Sequence, residues 1–395
     1  MARYNPAMKL LCLCSALDVG LGYGCTPAWW QFLKGLSELG HDVIAVPYAG
    51  AAFDTPWWRS YPNPCQIESK AFSAVKKWFN AGAASIHEGR GSKVSRALIE
   101  SWIRPRWEQH LAYILARERT VDAVLVFSIP VNHFTGIPSR MRIRFSVPFF
   151  YYDGDVPASL PRFGGFASGF RSYEHADLGE YDGFMCNSEG GAEELRAMGA
   201  RRVVAIHWGA DPAMYDPIES EKRWDVFFYG YGVEYREQWF DAMIVQPSRD
   251  LPGTRFAIAG RDFPAGSGNV EFIGDVPFNR LRAVCPQGRI NLNISRSAHA
   301  GVRGSSTLRL FELAAMGCCI VSNPHDGIEQ WFEPGTELAV AESAGDARNI
   351  YRTLLTDASL RQSMGRAARQ RVIECHTHRH RAAEIAAFVS SSKRP

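Results

Sequence analysis

No stretch of this 395-residue sequence approaches the ~18 apolar residues that a bilayer-spanning helix needs. The short apolar run Leu10 to Leu13 also falls below the ~7–15 residues of a secretory core, so a cytoplasmic protein is expected. Neither sign of charge dominates. With 44 basic and 41 acidic residues the net charge is +3, which argues against nucleic acid or an anionic membrane surface as the main partner. The mildly basic stretch carrying Arg90, Lys93, Arg96, Arg104 and Arg106 reads as a solvated helix face. The nine cysteines include no Cys-x-x-Cys pair, which removes the usual zinc and disulfide frameworks. Cys12, Cys14, Cys318 and Cys319 lie in apolar strands and read as buried thiols. Repeats and low-complexity segments are lacking too.

What is present is too long for one core, and roughly two domains of 150–200 residues are expected. Residues 8–15 read as a buried strand, followed by a glycine-rich turn, a helix from Thr26 to Leu39 closed by Gly40, and a second strand over His41–Pro47. This strand–turn–helix–strand opening is the signature of a parallel, doubly wound sheet. Further strands fall at Ala123–Ser128, Val147–Tyr152, Gly183–Asn187 and Arg202–His207. A second series follows at Asp225–Gly230, Arg255–Gly260, Val270–Ile273, Ile290–Ile294 and Cys318–Ser322. The sequence thus predicts an α/β protein of two Rossmann-like domains facing across a cleft, the first over 1–208 and the second over 218–375. A Pro-, Gly- and Asp-rich linker at 209–217 joins them, and residues 376–395 form a C-terminal helix that can cross back to the first domain.

The first glycine-rich turn, Asp18-Val-Gly-Leu-Gly-Tyr-Gly-Cys25, lacks what a dinucleotide site requires. The fingerprint would need glycine where Cys25 stands, and the next strand ends Ala45-Val-Pro-Tyr48 without an acid for the ribose. A loop of Gly22, Tyr23 and Gly24 facing the cleft can still line an acceptor pocket.

The second half is more informative. After Ile290-Asn-Leu-Asn-Ile-Ser-Arg comes Gly301-Val-Arg-Gly-Ser-Ser-Thr-Leu-Arg-Leu-Phe-Glu-Leu-Ala-Ala-Met-Gly317. Ser305 or Ser306 is a natural N-cap and Gly317 a natural stop, with Leu308, Phe311 and Ala315 as an apolar stripe. The first turn of such a helix, pointing into the cleft, offers free N–H groups to a phosphate. Arg309 and Glu312 share one face. A carboxylate there can accept both hydroxyls of a ribose, and a guanidinium can fork onto phosphate oxygens. Taken alone the pair reads equally as a surface salt bridge of a few tenths of a kcal/mol. The strand ending at Gly230 and leading to Arg236 adds what a diphosphate needs, close backbone approach plus a cation.

These residues carry a resemblance. Arg309-Leu-Phe-Glu312 with Ala314-Ala-Met-Gly317, Gly327-Ile-Glu329, Phe332-Glu-Pro-Gly335 and Leu292-Asn293 resemble GT-B fold glycosyltransferases of the group 1 superfamily, in its CgeB-like, spore-maturation branch. Tyr181-Asp, Asn187-Ser, Gly199-Ala-Arg-Arg and Gly209-Ala-Asp-Pro extend the likeness upstream. The match covers about 181–385 well and the first 180 residues in outline. It implies a nucleotide-diphosphate-sugar donor held by the second lobe, with Glu312 on the ribose, Arg236 at the diphosphate and Arg309 assisting. Gly230, Asn293, Gly304, Ser305, Ser306 and Glu329 complete the donor set. Many relatives carry a second glutamate eight positions earlier, on the transferred sugar; here that position is Gly304. Glu329 and His299 are the candidates to contact the sugar in its place, and a retaining mechanism does not carry over automatically.

For the chemistry, Asp153 and Asp155 follow a strand of the first lobe and His133 follows another, so all three are candidates for a base or an acceptor-orienting group. Asp153-Gly-Asp155 reads equally as a plain turn. No metal and no organic cofactor are expected, the sugar nucleotide being a substrate. His376, His378 and His380 lack a third ligand for zinc. Trp29, Trp30, Trp57 and Trp58 can stack on sugars or fill the core, and one of each pair is expected in the core. The acceptor is open: a glycan, a protein or a small molecule. The alternatives are a sugar-nucleotide epimerase, a non-catalytic carbohydrate-binding or assembly protein on the same fold, and an NAD(P) oxidoreductase, which the glycine-rich turn disfavours.

Overall fold

Parallel strands buried on both faces require continuous apolar runs, and the sequence supplies two sets of them. In the computed structural model, residues 7–17, 26–66, 97–163, 172–232, 236–264, 266 and 268–393 are described. The first lobe holds β1 (Lys9–Ala16), β2 (Asp42–Ala49), β3 (Arg59–Ser60), β4 (Ala123–Phe127), β5 (Phe149–Asp153), β6 (Gly183–Cys186) and β7 (Val203–Ala205). They form one parallel sheet in the order β3-β2-β1-β4-β5-β6-β7. The second lobe holds β8 (Trp224–Tyr231), β9 (Phe256–Arg261), β10 (Val270–Phe272), β11 (Gly288–Asn293), β12 (Ile320–Ser322) and β13 (Ala339–Val340). Their order is β10-β9-β8-β11-β12-β13, again all parallel. In each sheet the order reverses beside its first strand, between β1 and β4 and between β8 and β11. Ligands of such sheets bind at the carboxyl ends of the strands beside that reversal.

The Ala28–Glu38 helix packs against β2 and ends before Gly40, whose φ of 87° is the left-handed stop that glycine adopts without strain. From β7 the chain runs through turns and coil to β8. It returns at His376–His378, where Ala210 N–H donates to His376 O (3.0 Å) and His378 N–H donates to Ala210 O (2.9 Å). The His378–Ser390 helix then packs on the Ala28–Glu38 helix of the first lobe. Gly35 permits this approach, since a Cβ there would stand 2.9 Å from Ala382 Cβ. Two crossing segments thus lie side by side between the lobes. Lys34 and Asp211, both buried, are also paired.

At the carboxyl ends of β8 and β9 the strands meet through glycine on both sides. Gly230 and Gly260 have φ of 150° and 124°, and a Cβ on Gly260 would run into the Gly230 carbonyl. Gly260→Ala should therefore lower the unfolding free energy by about 1–3 kcal/mol through backbone strain. A guanidinium unfolding curve that superimposes on the wild type would mean that the two strands do not approach this closely.

Candidate functional site

The Leu308–Ala315 helix starts differently from the sequence expectation. Its N-cap is Thr307, with no side-chain cap bond, rather than Ser305 or Ser306. Both serines are fully buried and spent on the first lobe. Ser305 Oγ bonds Ser188 Oγ at 2.7 Å, and Ser306 N–H donates to Asn187 O at 2.9 Å, with Asn187 Nδ2 donating back to Ser306 O at 2.9 Å. Bonds across the seam between lobes have displaced local capping. The helix is buried on nearly every side, with Leu310 to Ala315 all inaccessible, so the expected stripe is only part of its apolar surface. Gly317 does stop it, at φ 69°.

Glu312 sits in the middle of this helix with none of its surface exposed. Its Oε1 accepts from Thr26 N–H (2.9 Å), Thr26 Oγ1 (2.7 Å) and the Tyr215 hydroxyl (2.9 Å); its Oε2 accepts from the Tyr229 hydroxyl (2.8 Å). Thr26 comes from the first lobe, Tyr215 from the connecting segment and Tyr229 from β8 of the second. Burial lifts the pKa of this carboxyl, while the bonds from Thr26, Tyr229 and Tyr215 act against the lift by favouring the charged form.

One turn before Glu312, Arg309 lies over the rings of Phe228 (5.0 Å) and Tyr229 (5.1 Å) and donates through Nη1 to Ile294 O at 3.1 Å. Its Nε is buried without a hydrogen-bond partner. Arg236, buried as well, donates through Nε to the same carbonyl at 3.1 Å. Two guanidiniums from separate elements thus meet just beyond the carboxyl end of β11. Tyr229 links them to Glu312, touching Arg309 with its ring and Glu312 with its hydroxyl. A Cβ on Gly230 would stand 2.5 Å from Arg309 Nη2, so the guanidinium lies directly beside the glycine.

The remaining donor candidates build the walls. Asn293 Nδ2 donates to Ser322 Oγ at 2.9 Å, tying β11 to β12. Gly304 has φ of 60°, and a Cβ on it would meet the Glu189 side chain at 2.8 Å, so a residue of the first lobe fills the space beside it. Glu329 is exposed on the short Ile328–Gln330 helix. Gly22, Tyr23 and Gly24 lie outside the described residues.

The two aspartates of Asp153-Gly-Asp155 part company. Asp153 is buried and accepts from Tyr173 (2.5 Å), Ser159 (2.7 Å) and Asp155 N–H (2.9 Å); burial raises its pKa. Asp155 reaches across the seam to Arg296 Nη1 at 2.7 Å. His133 packs under Tyr48, whose hydroxyl is 2.6 Å from Nδ1, and burial beside Arg104 lowers its pKa to about 3. It is neutral at physiological pH and set in the first-lobe core. The three C-terminal histidines have separate partners: Trp331 O for His376, Glu38 for His378 and Thr377 for His380. Among the described residues no group of three or more His, Cys, Asp or Glu side chains is placed to hold a metal. Trp29 and Trp58 are core, whereas Trp30 and Trp57 are half-buried. Thr26, Tyr215, Tyr229, Arg296 and Glu189 carried no motif, and only the folded chain assembles them.

Two facing parallel-sheet lobes define the GT-B fold of glycosyltransferases. Residues 236–387 match the profile of the family described as Glycosyl transferase-like, so the second lobe carries a glycosyltransferase-family domain. A comparison with curated protein sequences gives no match. Among solved structures, the chain resembles sucrose-phosphate synthase from Thermosynechococcus elongatus at 12% identity, covering 97% of this chain and 98% of that one, with TM-score 0.65. Anabaena Alr3699/HepE in complex with UDP is similar at 13% identity, covering 97% and 100%, with TM-score 0.61. The E. coli trehalose-6-phosphate structure bound with UDP-2-fluoro glucose shares 12% identity over 98% and 99%, with TM-score 0.62. Among the described residues no helix is long and apolar enough to cross a membrane.

The charge state of Glu312 can be tested directly. Its folded-state pKa is raised, so the stability linked to it is full below the unfolded pKa and is lost as pH rises through the folded one. Tyr229→Phe removes a donor that favours the charged form and should lift the pKa further. The variant should lose about 1–3 kcal/mol at pH 8 and less at pH 4.5, as read by denaturant titration. Equal losses at both pH values would show that Glu312 does not titrate between them.

Proposed function

We propose that the chain is a metal-independent glycosyltransferase of the CgeB-like branch, moving a sugar from a nucleotide-diphosphate donor to an acceptor hydroxyl. The observation that carries this is the convergence of Arg236 and Arg309 on Ile294 O, one helical turn from Glu312. Two guanidiniums converging on one carbonyl can grip a diphosphate in the fork geometry that arginine favours. The leaving diphosphate is stabilised by the same pair as negative charge develops, with no need for a cation. Gly230 and Gly260 let the backbone approach the phosphates.

In this reading Glu312 takes the ribose. Thr26 presents two donors, N–H and O–H, to one carboxylate oxygen, much as a vicinal diol does. The donor's ribose would replace Thr26 there, and binding is thereby coupled to the seam between the lobes. Asp155, at the seam, is the nearer of the two aspartates to the second lobe and is the proposed acceptor-orienting group. Buried thiols at Cys12, Cys14, Cys65, Cys186, Cys285, Cys318 and Cys319, none of them in a disulfide, support a cytoplasmic setting. Gly304, standing where many relatives carry the second glutamate, admits a second reading, a sugar-binding protein that kept the lobes without transfer.

In a thermal-shift panel of UDP-, GDP- and dTDP-sugars, one should raise the melting temperature. Arg236→Ala and Arg309→Ala should each weaken that ligand about tenfold to a hundredfold, the loss of a charged hydrogen bond. Stabilisation by NADH and by no sugar nucleotide would overturn the proposal. Tight binding with neither donor hydrolysis nor transfer would select the second reading.

A further inference from the structure

Two histidines lie in the same wall of the second lobe, at the carboxyl ends of β11 and β12, and only one has partners on both ring nitrogens. His325 has Nε2 2.7 Å from Ser305 O and Nδ1 3.3 Å from Ser295 Oγ. His299, on the Ser297–Ala300 helix, is 5% exposed, and its Nδ1 is buried with no hydrogen-bond partner. Its Nε2 faces Asp155 of the first lobe at 3.9 Å. A buried polar nitrogen left unpaired bears the full cost of leaving water, so such groups call for an explanation.

We propose that His299 Nδ1 is a recognition point for a hydroxyl of the transferred sugar. The proposal rests on the donor reading above. The negative field of the Asp155 carboxylate, 3.9 Å from Nε2 and beyond hydrogen-bond reach, favours the tautomer with the proton on that side, leaving a lone pair on Nδ1. That lone pair accepts from a neutral O–H. Burial, together with Arg296, His325 and Arg236 nearby, keeps the ring uncharged, so it neither attracts a phosphate nor serves as a strong base. Its task is positioning and selection by hydrogen bonding. The geometry separates the two ends of the ligand: Arg236 and Arg309 meet at Ile294 O, while the neutral ring stands five residues further on, facing the acceptor-side lobe. A uridine or guanosine diphosphate bound at the arginines would direct its sugar toward this ring.

The test compares free nucleotide with sugar nucleotide, using UDP against UDP-glucose and GDP against GDP-mannose, by calorimetric titration. The wild type should bind one sugar nucleotide more tightly than its free nucleotide. His299→Leu should leave the free-nucleotide affinity unchanged, which also reports correct folding, and reduce the sugar nucleotide's advantage about threefold to tenfold. His299→Asn, which places an amide oxygen near the Nδ1 position, should restore part of it. A wild-type advantage that His299→Leu retains in full would overturn the proposal, as would a nucleotide-binding wild type that gains nothing from the sugar. A wild type that binds neither UDP nor GDP would instead bring down the donor reading, and this inference with it.

Discussion

A carboxylate removed from water must be met by donors, and the fold around Glu312 is arranged to meet it. Taking such a charge into a protein interior costs several kcal/mol even after relaxation. Four donors face it, each worth about 1.5–3 kcal/mol when the acceptor is charged. They come from the first lobe (Thr26), the connecting segment (Tyr215) and the second lobe (Tyr229). One side chain therefore ties together the three parts of the chain. Any ligand that claims this carboxylate must loosen those ties, and occupancy of the cleft is in this way linked to the fit of the lobes.

The rest of the seam follows the same pattern of polar groups satisfied from the opposite side. Ser305 and Ser306 bond Ser188 and Asn187, Arg296 bonds Asp155, and Lys34 bonds Asp211. Most of these are directional bonds between polar side chains or backbone rather than apolar contact. Beside the seam, Arg236 and Arg309 converge on one carbonyl, that of Ile294.

Much of the fold was legible along the chain because parallel strands have to be apolar throughout. Ala123–Phe127 and Phe149–Asp153 are buried at every position, and both stood out as short apolar runs. The stops at Gly40 and Gly317 were legible because left-handed backbone favours glycine. The two-residue edge strands β3 and β13 carried too few side chains to show any period. At the site, residue types announced Arg309 and Glu312, but not their surroundings: Thr26 and Glu312 are 286 positions apart. The capping expectation failed at Ser305 and Ser306 because a local rule cannot foresee donors and acceptors arriving from another lobe. Asp153 and Asp155 looked equivalent in sequence, and only the turn between them sends one into the core and the other to the seam.

The measurement that bears most directly on the central claim is a crystal structure of the protein with UDP or GDP bound. The diphosphate is expected against Arg236 and Arg309 beyond β11, with the ribose hydroxyls on Glu312 in the place now held by Thr26. A nucleotide found elsewhere, with Glu312 still bonded to Thr26, Tyr215 and Tyr229, would contradict the account.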